Sequence, residues 1–437
     1  MASTEEIYSN LISQYVSRNS KSKVIFEEAS TVLPGGNTRT VLYSEPFPLV
    51  FASGKDNTIT SVDGDVYLDL VSEYSAGIYG KSCEPIISAI KTVLEKGLNF
   101  GGNNEYEALL AKAITSRFKC LEMVRFCNSG TEANLMATAL AIAYTGRKKV
   151  RFISYFSCQL EAYLWQIIVF ENGYHGSGFS FKGGSNPMNL PHDFLIAEFN
   201  SISSVKDIVS QNPKSIAAIL VEPVQGSGGA IPGSKEFLQY LRSIASEIGA
   251  LLIFDEVMTS RLAYGGTQGV LEIYPDLMTA GKYLGGGNSF GCFGGKAEIM
   301  QRFDPSRKDA LTHSGTFNNN IVTMAAGVAG AKLLTPEVFK DMNDRGDRLR
   351  VKINDVLTTN GAKNMKVTGV GSLIGIHFAG QQAAMLGSIL FFYLLERNIY
   401  MGRRGFLCLN IKHTDEDVER TVGVIQEFVT LYGKLLV

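Results

Sequence analysis

The feature that most constrains this chain is the alternation of short apolar runs with helical stretches between residues 85 and 335. Each apolar run has the length of a strand and is nearly continuous, as in strands that are covered on both faces. The apolar runs are Met123–Cys127, Ile167–Phe170, Ile216–Val221 and Ala250–Phe254. The helical stretches between them include Glu105–Phe118, Thr131–Tyr144 and Ser234–Ile248. This pattern predicts an α/β fold with a mostly parallel sheet between two layers of helices.

The two ends of the chain predict a second, smaller domain, because 437 residues exceed what one simple hydrophobic core needs. Residues 1–75 contain a polar helix and then short strands around turns, and residues 336–437 combine helices with strand-like segments. We therefore predict a large domain over residues 76–335 and a small α+β domain over residues 336–437. Residues 1–75 are expected to contribute to the small domain and to the ligand pocket.

Charge and cysteine content exclude several classes of protein. A formal net charge of −1 gives no general basis for binding nucleic acid or an anionic membrane. The six cysteines are scattered without a C-x-x-C pair, which argues against a zinc site and a disulfide framework. The longest nearly apolar run, Leu386–Leu395, is about half the length of a transmembrane helix, and the first residues lack the features of a secretory signal. We therefore predict a cytoplasmic protein without a bound metal.

One segment interrupts the alternation of strands and helices. Arg151–Ile167 is apolar and aromatic, contains the single tryptophan Trp165, and precedes the predicted strand that ends at Phe170. Two interpretations remain: an additional surface hairpin or helix, or a stretch retained by an incorrect gene model. Sequencing the transcript across this segment distinguishes them.

The residues after the first of these predicted strands could bind a phosphate. Ligands of open α/β sheets lie at the carboxyl ends of the strands. Ser129, Gly130 and Thr131 follow Met123–Cys127 and open a helix, whose free N–H groups and dipole favour an anion. An ordinary capping box is the alternative, since Ser129 and Glu132 have the S-x-x-E spacing.

Acidic residues follow two further predicted strands. Glu222 follows Ile216–Val221, and Asp255 and Glu256 follow Ala250–Phe254. A carboxylate at the end of a buried strand is costly unless it meets a cation or a strong donor. Such an acid either caps or pairs with a structural partner, or it faces a buried cation such as a protonated ring nitrogen.

A lysine lies between another short apolar run and a glycine triplet. Lys282 precedes Gly285–Gly287, where glycine permits close approach of the backbone. A lysine in such a cleft can act as a nucleophile toward carbonyl groups, whereas a solvated surface lysine is the alternative. A phosphate cradle, a buried carboxylate and an amine are together the three requirements of pyridoxal 5'-phosphate (PLP).

The chain resembles fold type I PLP-dependent enzymes of the class III aminotransferase group. Within that group it is similar to the glutamate-1-semialdehyde 2,1-aminomutase-like branch and its β-amino-acid (β-phenylalanine-type) transaminases. The resemblance extends over nearly the whole chain except Arg151–Ile167. The motifs that carry it are PGGNTRT, CNSGTEAN, FENGYHGS, VEPVQGSGG, LIFDEVMTSR, AGKYLGGG and HSGTFNNN.

The resemblance implies roles for the residues that would hold the cofactor. Lys282 would form the internal aldimine and carry the proton during amino transfer. Asp255 would pair with the pyridinium nitrogen, and Ser129, Gly130 and Thr131 would hold the phosphate. These assignments predict a transaminase that uses PLP.

The resemblance also implies roles around the ring and the substrates. Tyr174 would stack on the ring, and Glu222 would be a second acid near the cofactor. Thr316 would reach the phosphate of a neighbouring subunit, which implies a homodimer with shared active sites. Arg39 would bind the carboxylate of a β-amino acid, and Arg404 would help to accept the carboxylate of a keto acid. The substrates expected are therefore a β-amino or aryl amino acid and a keto acid.

Three other functions fit the sequence less well. A glutamate-1-semialdehyde-type aminomutase would need no external keto acid, but GGNTRT lacks the longer VNSPVR-like stretch of true aminomutases. A degenerate member of the fold would bind a partner without catalysis. A dinucleotide-binding dehydrogenase has support only in Gly369–Gly375, whose glycines lead into a strand-like run rather than a helix.

Overall fold

The structure is a computed structural model that describes residues 3–146 and 165–436. Most of the interrupting segment Arg151–Ile167 lies outside the described residues, so both interpretations of it stay predictions. Within the described ranges, the chain divides into two compact units. One comprises Met1–Cys83 and Lys340–Val437, and the other comprises Glu84–Phe339. The domain bounds predicted from the sequence, residues 1–75, 76–335 and 336–437, stay a proposal.

The unit Glu84–Phe339 is built on a seven-stranded sheet in its described part. In spatial order its strands are Met123–Cys127, Gly291–Gly295, Leu277–Gly281, Leu251–Asp255, Ile216–Val221, Gln166–Phe170 and Asp193–Ala197. The strand Gly291–Gly295 is antiparallel to both of its neighbours, and the other pairings are parallel. The predicted α/β class with a mostly parallel sheet is therefore confirmed.

Helices cover both faces of this sheet, which explains why its central strands are apolar throughout. All six residues of Ile216–Val221 are buried. One face packs against the small side chains of Gly130–Thr145, and the other packs against Lys235–Ile248. The helices of this unit are Glu84–Leu94, Glu105–Arg117, Gly130–Thr145, Ile202–Gln211, Lys235–Ile248, Gly266–Leu271, Ala297–Met300 and Ile321–Ala331.

The other unit combines helices with two small sheets in its described residues. Its helices are Thr4–Arg18, Ser20–Ser30, Ala383–Glu396, Asp415–Tyr432 and, for the most part, Pro336–Thr359. One sheet orders Phe51–Lys55, Thr58–Ser61, Val66–Asp69 and Ile399–Tyr400, and the other orders Met365–Val370, Leu373–Phe378 and Phe406–Cys408. Because Ile399–Tyr400 pairs with Val66–Asp69, the two ends of the chain share one sheet and one core.

The glycines at 369, 371 and 375 lie in the hairpin formed by Met365–Val370 and Leu373–Phe378. The hairpin turns at Gly371, whose positive φ of 54° suits glycine. A dinucleotide-binding loop would instead lead from a strand into a helix. The structure thus agrees with the argument against a dehydrogenase.

No single helix among the described residues is long and apolar enough to cross a membrane. The pair Ile321–Ala331 and Pro336–Thr359 passes the same test by length and composition only, and it is bent by 83°. The helix Ala383–Glu396, which contains the longest apolar run, is shorter than a span and largely buried in its own unit.

Candidate active site

The carboxyl ends of neighbouring strands bring three of the predicted site residues together. Leu251–Asp255 and Leu277–Gly281 run in parallel, so Asp255 pairs with Thr279 and Lys282 follows immediately. A methyl group added to Gly281 would lie 3.7 Å from the backbone nitrogen of Gly130. The acid, the lysine and the start of the helix at Gly130 therefore occupy one edge of the sheet.

This close approach depends on a strand that the sequence pattern did not predict. Gly291–Gly295 contains three glycines, which have low strand propensity, yet it lies between Met123–Cys127 and Leu277–Gly281. A methyl group on Gly291 would lie 2.0 Å from the carbonyl oxygen of Ser129. Glycine is thus required where this strand passes the phosphate cradle.

The predicted phosphate cradle is also a helix cap. Ser129 Oγ accepts a hydrogen bond from the N–H of Glu132 at 3.1 Å, and the Glu132 carboxylate accepts from the N–H of Asn128 at 2.9 Å. Ser129 is therefore the N-cap of this helix, but Glu132 bonds to Asn128 rather than back to Ser129, so the described contacts do not form a full capping box. The first N–H groups of the helix, at Gly130 and Thr131, have no acceptor in a preceding turn. The two interpretations are therefore compatible, and the helix start fits an anion.

Asp255 is buried and lies in a hydrogen-bonded network. Its Oδ2 accepts from Asn134 Nδ2 at 2.8 Å and lies 2.8 Å from His175 Nδ1, which places the ring proton on that nitrogen. Its Oδ1 accepts from the N–H of Val257 at 3.0 Å. A carboxylate has about four lone-pair directions, so the contacts made by the described residues leave Oδ1 able to face a protonated ring nitrogen. Asp255 therefore fits the role of partner to the pyridinium of PLP.

Sequence reasoning missed two members of this network. Asn134 Oδ1 accepts from Thr279 Oγ1 at 2.7 Å, and Asn134 Nδ2 also donates to the carbonyl oxygen of His175 at 3.0 Å. Asn134 and Thr279 are both buried, one on an apolar helix face and one in an apolar strand. A polar residue among apolar neighbours was the signal that could have identified them, because buried polar groups need partners.

The neighbouring acid Glu256 has a structural role. Its carboxylate accepts from the N–H groups of Thr267 and Gln268 at 2.7 and 3.0 Å, at the start of the helix Gly266–Leu271. Burial raises the pKa of Glu256, and these hydrogen bonds oppose the shift. Of the two adjacent acids, Glu256 thus follows the capping interpretation.

Glu222 holds the loop that carries Tyr174. Its two carboxylate oxygens accept from the N–H of Tyr174 at 2.9 Å and from the N–H of Gly226 at 3.0 Å. Burial raises the pKa of Glu222 to about 7, with a contribution from the charge of Asp255 and opposition from His175. The side chain of Tyr174 is exposed, so its backbone is fixed while its ring remains accessible.

Lys282 has an unusual backbone conformation. Its φ is 54°, in the left-handed region, which costs a non-glycine residue about 1–3 kcal/mol and is most frequent at functional sites. The next residue is anchored, since Tyr283 Oη accepts from Arg117 Nη2 at 2.7 Å and donates to Ser260 Oγ at 3.1 Å. The strain at Lys282 is therefore sustained by buried contacts beside it.

The predicted intersubunit residue Thr316 lies on an exposed loop. Two contacts fix this loop near the phosphate cradle: Arg125 Nε lies 3.1 Å from His313 Nδ1, and Asn128 Nδ2 donates to Asn318 Oδ1 at 3.0 Å. These two contacts hold the loop, and Thr316 itself is exposed.

The two predicted substrate arginines belong to the unit formed by the chain ends. Arg39 forms an ion pair with Glu73, and its guanidinium carbon lies 5.5 Å from the centre of the Tyr74 ring. Burial raises the pKa of Tyr74, and the positive charges of Arg39 and Arg404 oppose this shift. Tyr74 stacks on Phe406 with 5.6 Å between ring centres and an angle of 18°. Arg39 therefore lies at this aromatic pair, and Arg404 is near enough for its charge to act on Tyr74.

Comparisons with known proteins identify the family of this chain. The sequence matches the Aminotransferase class-III family over residues 42–401. The chain belongs to this family. Class III aminotransferases are PLP-dependent enzymes, so the predictions of enzyme class and cofactor are confirmed. The roles of individual residues stay proposals.

Two curated relatives and one solved structure show how far the likeness to other class III members extends. The chain is 42% identical to a β-phenylalanine transaminase from Variovorax paradoxus, over 100% of this chain and 98% of that protein. It is 34% identical to a glutamate-1-semialdehyde 2,1-aminomutase from Methanocaldococcus jannaschii, over 93% and 97% respectively. The crystal structure of a β-phenylalanine aminotransferase from Variovorax paradoxus superposes with a TM-score of 0.92 and 41% identity, covering 99% of both chains. The predicted fold type I architecture is thereby confirmed.

Proposed function

We propose that this class III aminotransferase moves an amino group between a β-amino acid with an aryl substituent and a keto acid. The observation that carries this substrate class is that Arg39 lies against the ring of Tyr74, which stacks on Phe406. The positive charge of Arg404 acts on the same tyrosine. Guanidinium groups bind carboxylates through paired hydrogen bonds, and aromatic faces pack against aryl groups. The relative from Variovorax paradoxus, named for β-phenylalanine, supports the same assignment.

The residues at the sheet edge would hold the cofactor. Ser129, Gly130 and Thr131 would bind the phosphate at the helix start. Tyr174 would cover the ring, and Glu222 supports this role because it fixes the Tyr174 backbone. The proposed cofactor site therefore combines a helix start that binds the phosphate with an aromatic side chain that covers the ring.

The chemistry would divide between the cofactor and the chain. When bound, PLP supplies an electron-withdrawing ring that disperses the negative charge left on a substrate carbon after a proton leaves. Lys282 would hold the cofactor covalently between turnovers, and its Nζ would then take and return that proton. Asp255 would keep a proton on the ring nitrogen, since Asn134 and His175 hold its carboxylate in place.

Incubation of the purified holoenzyme with 3-amino-3-phenylpropanoate and 2-oxoglutarate tests this function. We expect glutamate to form only when both substrates are present, because the amino group must pass to an acceptor. An aminomutase is the second candidate, favoured by the 34% identity to the Methanocaldococcus enzyme. Isomerisation of glutamate 1-semialdehyde without added keto acid, together with no transfer from any β-amino acid, would select the aminomutase.

We also propose that the enzyme acts as a homodimer in which Thr316 reaches the neighbouring cofactor phosphate. Apolar side chains beside Thr316 support this, since Phe317 and Phe100 are 57% and 51% exposed. Their loops are joined, because Asn104 Nδ2 donates to the carbonyl oxygen of Asn319 at 2.8 Å. Large exposed apolar side chains on connected loops are typical of an interface.

The mass in solution should be twice the 47.6 kDa of one chain. Phe317→Asp should shift the protein toward the monomer and weaken PLP retention, because it places a charge in the proposed interface. Val270→Asp is the control, since Val270 is 63% exposed on the helix Gly266–Leu271 of the same unit and the substitution adds the same charge. Light scattering coupled to size exclusion measures both. A monomeric wild type, or equal behaviour of the two variants, contradicts the proposal.

The cytoplasmic location expected from the sequence belongs with these proposals. Its support is that the described cysteines are free thiols, as in proteins of reducing compartments. Fractionation of cells that express the protein, with a marker enzyme for each compartment, tests this location.

A further inference from the structure

Glu73, which pairs with Arg39, lies in a turn of four successive residues with left-handed backbone. Ser72, Glu73, Tyr74 and Ser75 have φ values of 44°, 50°, 50° and 79°. Residues other than glycine adopt this conformation singly, and seldom in succession. Such strain persists only where the surroundings enforce it, and it is most frequent at functional sites. The turn therefore requires contacts that support it, and its conformation is expected to serve a function.

Buried contacts supply the support. Asp69 Oδ1 accepts from the N–H groups of Val71 and Ser72 at 2.9 and 3.1 Å. Asn410 Nδ2 donates to Ser72 Oγ at 3.1 Å, and the N–H of Gly77 donates to the carbonyl oxygen of Ser72 at 2.8 Å. The start of the turn is thus fixed within the unit formed by the chain ends.

The exposed side of the turn presents a carboxylate to a guanidinium. Glu73 pairs with Arg39, and both side chains are about half exposed, so a dissolved carboxylate can reach the same guanidinium. Tyr74, the next residue of the turn, lies against Arg39 and stacks on Phe406. One strained turn therefore supplies both the anionic partner and the aromatic surface of the arginine proposed to bind substrate.

We propose that Glu73 is an internal competitor for the substrate carboxylate at Arg39, and so sets the affinity of the enzyme for carboxylate-bearing substrates. The inference rests on the proposed function of Arg39. A substrate carboxylate gains less from a guanidinium whose charge Glu73 already balances. When an aryl group without a carboxylate occupies the same place, the ion pair stays intact and Arg39 keeps its partner.

The test uses the holoenzyme and 3-phenylpropanoate, which has the aryl group and the carboxylate but no amine and therefore cannot react. Glu73→Gln should lower the inhibition constant of this ligand by about 1.5- to 5-fold, the range that corresponds to the strength of an exposed ion pair. The inhibition constant of 3-phenylpropanamide, which lacks the charge, should not change. Glu28→Gln is the matched control, because it removes an equal charge from an exposed helix of the same unit.

Arg39→Ala separates this inference from the function on which it rests. In the Arg39→Ala background, Glu73→Gln should have no effect on 3-phenylpropanoate, since the two residues act as one pair. If Arg39→Ala weakens the ligand but Glu73→Gln leaves it unchanged or weakens it, the competition is wrong and the role of Arg39 stands. If Arg39→Ala has no effect on the ligand, both proposals are wrong.

Discussion

Lys282→Ala is expected to abolish amino transfer while leaving the fold intact. The variant loses both the covalent attachment of the cofactor and the group proposed to move the proton, so turnover should fall by about 10,000-fold or more. Stability should change little, because alanine tolerates the φ of 54° no worse than lysine does. Turnover assays and thermal unfolding measure the two effects separately.

Borohydride reduction provides a second measurement on the wild type and the variant. Reduction followed by peptide mapping should place the cofactor on Lys282 in the wild type and on no lysine in the variant. Lys308→Ala is the control, since it removes an exposed lysine of the same unit. A label on another lysine, or appreciable turnover by Lys282→Ala, would refute the assignment.

Asp255→Asn should lower turnover by about 100- to 1,000-fold, as expected when a preorganised charge is removed from a reacting system. The amide cannot hold a proton on the ring nitrogen as a carboxylate does. In either orientation its NH₂ group would also face a donor that now donates to Asp255, either Asn134 Nδ2 or the N–H of Val257. Both effects act on the chemical step, so kcat should fall more than substrate affinity.

The adjacent residue offers a matched control for this substitution. Glu256→Gln alters a carboxylate that is equally buried but holds the start of the helix Gly266–Leu271, so it should lower stability with little effect on kcat. A cofactor analogue with a methylated, permanently cationic ring nitrogen should restore part of the activity of Asp255→Asn. Failure of that rescue, or equal kinetic effects at both positions, would remove Asp255 from its proposed role.

Strands and helices with a strong local pattern were predicted well. Met123–Cys127 and Ile216–Val221 have the predicted bounds, and the helix Gly130–Thr145 extends its prediction by one residue at each end. Two strands of the seven-stranded sheet were not identified from the sequence: Asp193–Ala197, although it is largely apolar, and Gly291–Gly295, which lacks such a pattern. Gly291–Gly295 is rich in glycine, and its place in the sheet depends on the close approach of the Ser129 backbone. Its strand conformation follows from its neighbours rather than from its own residues.

The residues of the candidate site were likewise predicted only in part. The chemical groups Lys282, Asp255 and the helix start at Gly130 were visible because each follows a recognisable strand. The partners of those groups were not visible: Asn134 is separated from Asp255 by 121 positions, and its contact depends on the packing of a helix against the sheet. Likewise, the sequence contains no sign that Glu73 pairs with Arg39.

By itself, the sequence determined the class of fold, the family and the cofactor, and it predicted the residues proposed to react with that cofactor, because hydrophobic periodicity and short motifs are local properties of the chain. Only the tertiary structure decided which of two adjacent acids caps a helix, which side chains hold Asp255, and which carboxylate meets Arg39. The physical reason is that a hydrogen bond or ion pair requires two side chains within about 3 Å and correctly oriented. That condition is set by the packing of elements distant in sequence, which no local pattern encodes.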